Sequence, residues 1–255
     1  MNVRFNESSN PVISRVRRER AGIRGYESAR TATFTGIATK TGFLLLIILA
    51  ISIFIWTNFE RFASAIVPLF IMSSFFGFIF VLLAQFTRLK AFFTTLYAVS
   101  EGVIIGTLTY LIQLAIEGGS AIVFNAVAVT FAVFAFLLIV YSTGLFKVGF
   151  GFRKMVYTVM IGLLFGYLIL FILSLFNLNI LFVSPGVMLA ISAFFVILAS
   201  FNLLIDFDDC KRAVTYGLSK EYEWVLSLGL LVSIVWLFVE ILRLLLILAS
   251  RSRKE

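Results

Sequence analysis

The stretch "WVLSLGLLVSIVWLFVEILRLLLILAS", residues 224–250, is apolar along nearly all of its length, and its only charged side chains are Glu240 and Arg243. About 20 apolar residues in a helix cross the ~30 Å hydrocarbon core of a bilayer, so this stretch is long enough to span one. Six further apolar segments precede it, near residues 41–58, 65–86, 91–115, 121–146, 155–176 and 185–205. The pattern predicts an all-α membrane protein, a bundle of seven transmembrane helices.

The composition of the whole chain favours the same class of protein. Of its 255 residues, 61% are hydrophobic and 30 are phenylalanine, which exceeds what the surface of a soluble domain tolerates. The net charge of +8 comes from Lys and Arg in one tail and a few short loops, where these side chains meet anionic lipid headgroups. We therefore expect the lipid bilayer as a partner, and no nucleic acid.

Lysine and arginine are distributed unequally between the two sides of the predicted bundle. The residues up to Lys40 and the second, fourth and sixth connections are rich in both, whereas the other three connections contain only Arg61. By the positive-inside rule, this predicts a multi-pass protein of the cell membrane with a cytoplasmic N-terminus. We expect residues 1–40 to be a flexible basic tail without a cleavable signal peptide, 41–250 the transmembrane domain, and 251–255 a short basic tail.

Ionisable side chains inside a membrane span cost about +2.5 to +3.5 kcal/mol each and mark functional candidates. Glu101 lies in the third predicted helix, where "EGVIIG" also contains Gly102 and Gly106. The same glycine spacing recurs at Gly162 and Gly166, and we interpret both pairs as helix-packing positions. Glu101 is then either a pore-facing acid or a protonated packing residue that is hydrogen-bonded to a neighbouring helix.

Glu240 and Arg243 are three residues apart in the last predicted helix and share one helical face. One interpretation is that they neutralise each other within that helix. The other is that Glu240 faces an acid or a base on another helix and titrates there, with Glu101 as one candidate partner. The sequence leaves both interpretations open.

The end of the sixth predicted helix carries three carboxylates, Asp206, Asp208 and Asp209, in "IDFDDCKR". Successive helical positions point about 100° apart, so the first and the last of these share a face while the middle one points elsewhere. We expect the last two to form a solvated helix end that is balanced by Lys211 and Arg212. Asp206 lies deepest and is the candidate for a functional role.

The inventory of residues argues against catalysis. The chain has no histidine and a single cysteine, Cys210, which excludes an HExxH metal site, a Ser–His dyad and an intrachain disulfide. A membrane aspartyl protease needs aspartates on two helices, whereas all three aspartates here lie in one short stretch. We therefore expect no enzymatic activity, no cofactor and no defined metal site, and any proton chemistry near neutrality must use carboxyl groups.

Several stretches of the chain resemble the Bax inhibitor-1/YccA-like family, in its bacterial branch. The similarity extends over residues 32–249, and the last two of the stretches that carry it are the most specific. These stretches are "ATFTGIATKTGFLLL" (32–46), "YAVSEGVIIGTL" (97–108), "YSTGLFKVGFGFRKMV" (141–156), "FNLLIDFDDCKRAV" (201–214) and "KEYEWVLSLGLLVSIVWLFVEILRLL" (220–245).

The resemblance implies a bundle whose last helix is surrounded by the other six, and a pH-sensitive cation leak, notably for Ca²⁺. In the family, an acid at the end of the sixth helix shares a proton with an acid in the seventh, and by position these are Asp206 and Glu240. The candidate charge partners are Arg243, Arg88 and Asp209. The chain departs from the family in having Glu at 240, and a seventh helix starting near residue 224 places Glu240 about 24 Å along it.

The leading hypothesis is therefore a proton-modulated leak in which protonated carboxyl groups close the inner end of the bundle. Deprotonation at higher pH lets like charges separate and attracts a cation, for which oxygen ligands suit Ca²⁺. The alternative is a non-transporting regulator that binds a membrane protease or another stress-response partner through its tail or its lipid-facing grooves.

Overall fold

The structure, a computed structural model, describes residues 31–176 and 184–252. Seven long helices in this part of the chain are apolar enough to cross a membrane, and no β-strand occurs among the described residues. The prediction of an all-α membrane bundle with seven spans is confirmed. The seven long helices are α1 (Phe34–Thr57), α2 (Ile66–Phe86), α3 (Lys90–Ala115), α4 (Gly119–Ser142), α5 (Phe150–Leu175), α6 (Pro185–Thr215) and α7 (Tyr222–Ser252), and a short helix, Phe59–Phe62, lies between α1 and α2.

The first helix begins earlier than the hydropathy of the sequence indicates. α1 starts at Phe34 because the Thr33 hydroxyl group accepts a hydrogen bond from the Gly36 N–H at 3.0 Å and caps the helix. The last residues of the predicted N-terminal tail are therefore helical. The remainder of the two predicted tails, residues 1–30 and 253–255, lies outside the described part of the chain.

The sixth helix continues well past the apolar segment that predicted it. That segment ends at residue 205, whereas α6 runs on through all three aspartates to Thr215. Arg212 in the last turn stabilises this end because a cation interacts favourably with the partial negative charge of a helix C-terminus. The acids are thus held at fixed positions on a helix.

The last helix lies at the centre of the bundle, as predicted. α7 packs against α6, α1, α4, α3 and α2, and 56% of the residues in its most apolar stretch are buried, against 0% in that of α5. α5 packs chiefly on α6 at the periphery, so five of the other six helices surround α7. Four polar or charged side chains of α7 are consequently buried in the bundle: Glu223, Ser227, Ser233 and Glu240.

Candidate functional site

Asp206 of α6 faces α7 inside the bundle. The Ser233 hydroxyl group of α7 donates a hydrogen bond to the Asp206 carboxylate and accepts one from the Asn202 side-chain amide at 2.7 Å. Asn202 and Asp206 lie one turn apart on α6, so they reach the same side of the neighbouring helix. Ser233 is 1% exposed, and this short chain of hydrogen bonds joins the two helices in the interior.

A cavity of about 340 Å³ lies beside Asp206, between α2, α6 and α7. Gly229 also lines this cavity, and a Cβ atom there would be in ordinary van der Waals contact, at 3.8 Å, with an Asp206 carboxylate oxygen. Among the described residues, no three His, Cys, Asp or Glu side chains are grouped so as to hold a metal ion. The cavity therefore offers oxygen atoms without a closed metal cage. Its polar lining consists of Gln85, Asn202, Asp206, Asp209 and Ser233.

Glu240 lies at a different level of α7. The residue is 5% exposed, accepts a hydrogen bond from the Trp236 indole at 3.2 Å, and pairs with the Arg243 guanidinium at 3.2 Å. Ser233, which touches Asp206, precedes Glu240 by about two turns, or ~10 Å along the helix. The structure does not bring Asp206 and Glu240 together, which corrects the shared-proton pair that the resemblance implied. The pairing with Arg243 forms instead.

Asp208 and Asp209 are held by an arginine of another helix. Arg153 of α5 places one guanidinium nitrogen 2.6 Å from Asp208 and another 2.6 Å from Asp209. Arg212 pairs with Asp208 at 2.7 Å, as predicted, and the Tyr141 hydroxyl group donates to it at 3.0 Å. This network ties the peripheral α5 to α6.

Two features of this network were missed in the sequence. Arg153 lies in the fourth predicted connection, where the positive-inside rule already accounts for Lys and Arg, so the sequence gave no reason to expect that it pairs with the aspartates. Lys211, which was expected to balance the acids, lies over the Tyr141 ring, with its ammonium nitrogen 5.8 Å from the ring centroid.

Two other candidate residues lie apart from the Asp206 cavity. Glu101 of α3 is half-buried, and its carboxyl group interacts with the hydroxyl group of Tyr97, one turn earlier on the same helix. Arg88 is exposed in the short connection between α2 and α3 and forms no ion pair with an acid in the described part of the chain. Neither residue lines the cavity.

Gly102 and Gly106 lie where α3 packs closely on α1. A Cβ atom at Gly102 would lie 2.7 Å from the Ile51 side chain, and one at Gly106 would lie 2.9 Å from the Ser52 backbone. The Ser52 hydroxyl group donates to the Gly102 carbonyl oxygen at 3.0 Å. Only glycine allows this approach, so the pair acts in helix packing.

Gly162 and Gly166 on α5 have the same spacing and a different environment. No described atom lies within 4 Å of a Cβ atom built at either position. The helix contact predicted for them does not form among the described residues. Spacing places two glycines on one face of a helix, but it does not say whether another helix covers that face.

Glu223, in the first turn of α7, gave no signal in the sequence. Its side chain is 0% exposed and pairs with the Lys40 ammonium group of α1. The Thr33 backbone N–H and hydroxyl group also donate to it, at 2.9 and 3.1 Å. The same ammonium group lies 5.3 Å from the Trp224 ring centroid. Glu223 therefore fastens the start of α1 to the start of α7, and we call these contacts the Glu223 anchor.

Further hydrogen bonds hold the same region together. The Ala32 N–H donates to the Leu218 carbonyl oxygen at 2.7 Å, and the Ser227 hydroxyl group donates to the Ile37 carbonyl oxygen at 3.0 Å. Hydropathy placed Lys40 and Glu223, the two partners of this ion pair, outside the predicted spans, where charged residues are expected. Nothing in the spacing of the residues indicated that they meet.

The sequence matches a known protein family over most of its length. Residues 10–250 match the model of a family described as Bax inhibitor 1 like. A comparison with curated proteins found no match. The family match extends over nearly the whole chain, and it includes all seven spans, the Asp206 cavity and the Glu223 anchor.

Proposed function

Since the chain belongs to the Bax inhibitor-1-like family, we propose that it conducts a pH-modulated cation leak across the membrane, with Asp206 as the titrating gate. One observation carries the proposal: a carboxylate inside the bundle is hydrogen-bonded across a helix interface and lines a cavity of about 340 Å³. Ionisable residues within spans are costly and mark ion and proton pathways. The proposed function involves neither a cofactor nor an enzymatic step.

The proposed permeant ion is Ca²⁺ or another hard cation. Such ions prefer oxygen ligands, and the cavity presents the side-chain oxygens of Gln85, Asp206 and Asp209. Conduction requires that an ion bind well enough to enter and weakly enough to leave. Among the described residues no closed set of ligands surrounds an ion, and such an open site suits the passage of a cation better than its tight binding.

The proposed gate is the contact between Asp206 and Ser233. When Asp206 is protonated, its neutral carboxyl group attracts no cation into the cavity, and the pathway is closed. When it is deprotonated, its charge is repelled by that of Asp209, which acts on it electrostatically, and a cation is attracted into the cavity. We expect the flux to rise with pH. With a cytoplasmic N-terminus, this gate lies in the cytoplasmic half of the bundle.

Other charged and titratable groups surround Asp206. Arg153 of α5 opposes the repulsion, but its guanidinium group is already bonded to Asp208 and Asp209. The lining residues contributed by α2 and α7 are uncharged. Asp206 is therefore the one lining acid in the described part of the chain without an ion-pair partner. Two more titratable groups lie in electrostatic range, Tyr157 of α5 and Cys210 of α6.

Liposomes that enclose a calcium-sensitive dye test this proposal. We expect Ca²⁺ influx through the wild-type protein to rise from mildly acidic to mildly alkaline pH, and influx through Asp206→Asn to lose that dependence. Glu221→Gln is the matched control, because this exposed acid lies in the connection before α7 and its loss should leave the profile unchanged. A wild-type pH profile in Asp206→Asn, or no influx through the wild-type protein, contradicts the proposal.

The second candidate is a non-transporting regulator that binds a membrane protease or another stress-response partner through the N-terminal tail. The Glu223 anchor favours it, because Thr33 and Lys40 are held against the start of α7 and the tail therefore joins the bundle beside the α6–α7 connection. Cross-linking and pull-down with and without residues 1–30 test it. Capture of a protease that is lost on truncation, with no Ca²⁺ influx through the intact protein, supports it. Capture that survives truncation argues against it.

A further inference from the structure

A second and larger cavity, of about 650 Å³, lies between α1, α3 and α4. α1 packs on α3 and α7, and α4 packs on α3, α6 and α7, but α1 and α4 do not pack closely on each other within the described bundle. The cavity is thus a cleft between these two helices, with Val235 and Phe238 of α7 at its back. We call it the α1–α4 groove. Ile53 and Phe124 at its sides are 57% and 73% exposed, so the groove faces the bilayer.

The walls of the α1–α4 groove are more apolar than those of the Asp206 cavity, which include two carboxylates. No charged residue in the described part of the chain lines the groove. Away from Ser120 at one end, its hydroxyl groups are already bonded to backbone carbonyl oxygens: Ser52 to Gly102 at 3.0 Å, and Thr109 to Ile105 at 2.8 Å. The Thr130 hydroxyl group is likewise bonded within its own helix, at 2.6 Å. Such walls offer little to an ion and suit a hydrocarbon.

The groove has the length of one leaflet and a polar mouth. On α1 its lining runs from Leu45 to Trp56, about 16 Å at 1.5 Å per residue, which is close to half of the ~30 Å hydrocarbon core. The Trp56 indole donates a hydrogen bond to the Gln113 side chain at 2.7 Å, near the ends of α1 and α3. Ser120, at the start of α4, lines the same end. Tryptophan is typical of the membrane interface, so this end lies at the level of the lipid headgroups.

We propose that the α1–α4 groove binds one acyl chain of a phospholipid from the leaflet at the Trp56 end. The glycerol esters lie at the mouth, where the Gln113 amide group and the Ser120 hydroxyl group can donate hydrogen bonds. The volume falls in the range of about 300–1,000 Å³ that is usual for ligand sites. Because lipid tails and groove walls are equally apolar, binding rests on van der Waals fit and on these polar contacts.

The site reaches the central helix. Ile234 and Val235 line the groove, and they directly follow Ser233, which holds Asp206 on another face of α7. The bound chain therefore contacts the same turn of the helix that carries the acid contact. The lipid site does not depend on the proposed ion flux, and its test uses no transport measurement.

Native mass spectrometry of the full chain in a mild detergent, titrated with palmitoyl-oleoyl phosphatidylglycerol, tests the proposal. Val127 lines the groove, whereas Val129 on the same helix is absent from its lining and 41% exposed. The two point about 200° apart. We expect one saturable lipid on the wild type and on Val129→Trp, and at least ten-fold weaker binding to Val127→Trp, whose indole fills the groove.

Ala121→Leu adds less bulk within the same groove and covers the case in which Val127→Trp fails to fold. Its lipid affinity should fall between those of the wild type and Val127→Trp, or, if that variant is lost, clearly below that of the wild type. Equal binding to the wild type, Ala121→Leu and Val129→Trp overturns the proposal. Lipid that binds the wild type without saturation, as an annular layer would, also overturns it.

Discussion

A buried carboxylate, Glu223, and a half-buried one, Asp206, hold α7 to its neighbours, and they differ in how completely they are bonded. Glu223 meets α1 through an ammonium group, a backbone N–H and a hydroxyl group, with 0% of its side chain exposed. Asp206 meets α7 through one serine hydroxyl group and otherwise borders a cavity. The first is a charge whose partners are fixed, whereas the second is a charge without an ion-pair partner among the described residues.

The difference separates structural from functional acids. Removing one partner of a buried ion pair strongly destabilises the folded protein, because the remaining charge is left buried and uncompensated. An acid with a single neutral donor can change its protonation with little rearrangement, and the neighbouring cavity gives water or an ion access to it. We therefore assign stability to the Glu223 anchor and gating to Asp206, and replacing each acid by its amide should separate the two roles.

The largest effect is expected from Glu223→Gln. The amide cannot neutralise Lys40, so the free energy of unfolding should fall by about 3 kcal/mol, as when a buried ion pair loses one partner. Thermal unfolding in detergent measures the loss. Glu221→Gln, two residues earlier and exposed, is the control and should be neutral. Equal stability of the two variants shows that the anchor does not hold α1 to α7.

A smaller effect is expected where α1 meets α3, the contact that positions the α1 side of the anchor. Gly106→Ala places a methyl group 2.9 Å from the Ser52 backbone, and such overpacking costs roughly 1–3 kcal/mol. Gly162→Ala has open space and should be neutral or stabilising by up to about 1 kcal/mol, since alanine favours a helix over glycine. The same unfolding assay compares them, and a destabilised Gly162→Ala with an unaffected Gly106→Ala contradicts the assignment.

The smallest effect on stability is expected from Asp206→Asn. The amide oxygen can still accept the hydrogen bond from Ser233, so we expect a change of about 1 kcal/mol or less, in the range of one neutral hydrogen bond. Thermal unfolding of Asp206→Asn and Glu223→Gln, measured side by side, compares the same change from acid to amide at the two sites. A loss as large as that of Glu223→Gln means that Asp206 is a structural charge.

The seven helices were predictable because each span carries its own signal, a long apolar run that needs no knowledge of its neighbours. Helix ends were less predictable: Thr33 caps α1 before its apolar run begins, and α6 continues through charged residues that are paired by Arg153 and Arg212. Hydropathy alone treats charged residues as loop. Tertiary contacts keep them helical.

The candidate site was predictable only in part. Asp206 was indicated because it is the deepest of the three aspartates at the end of the sixth segment, but its partner Ser233 is a common residue in an apolar helix and gave no signal. Glu240 drew attention because it is charged, yet its contact is the local one with Arg243. The Glu223 anchor joins residues at opposite ends of the sequence, and only the packing of α1 against α7 brings them together.

The measurement that tests the central claim most directly is the pH profile of Ca²⁺ influx into liposomes for Asp206→Asn and Glu240→Gln side by side. If Asp206 gates alone, influx through Asp206→Asn no longer changes with pH, whereas Glu240→Gln keeps the wild-type dependence, because its partners are Arg243 and Trp236. Loss of the pH dependence in both variants would contradict the account and restore a shared-proton pair between the two acids.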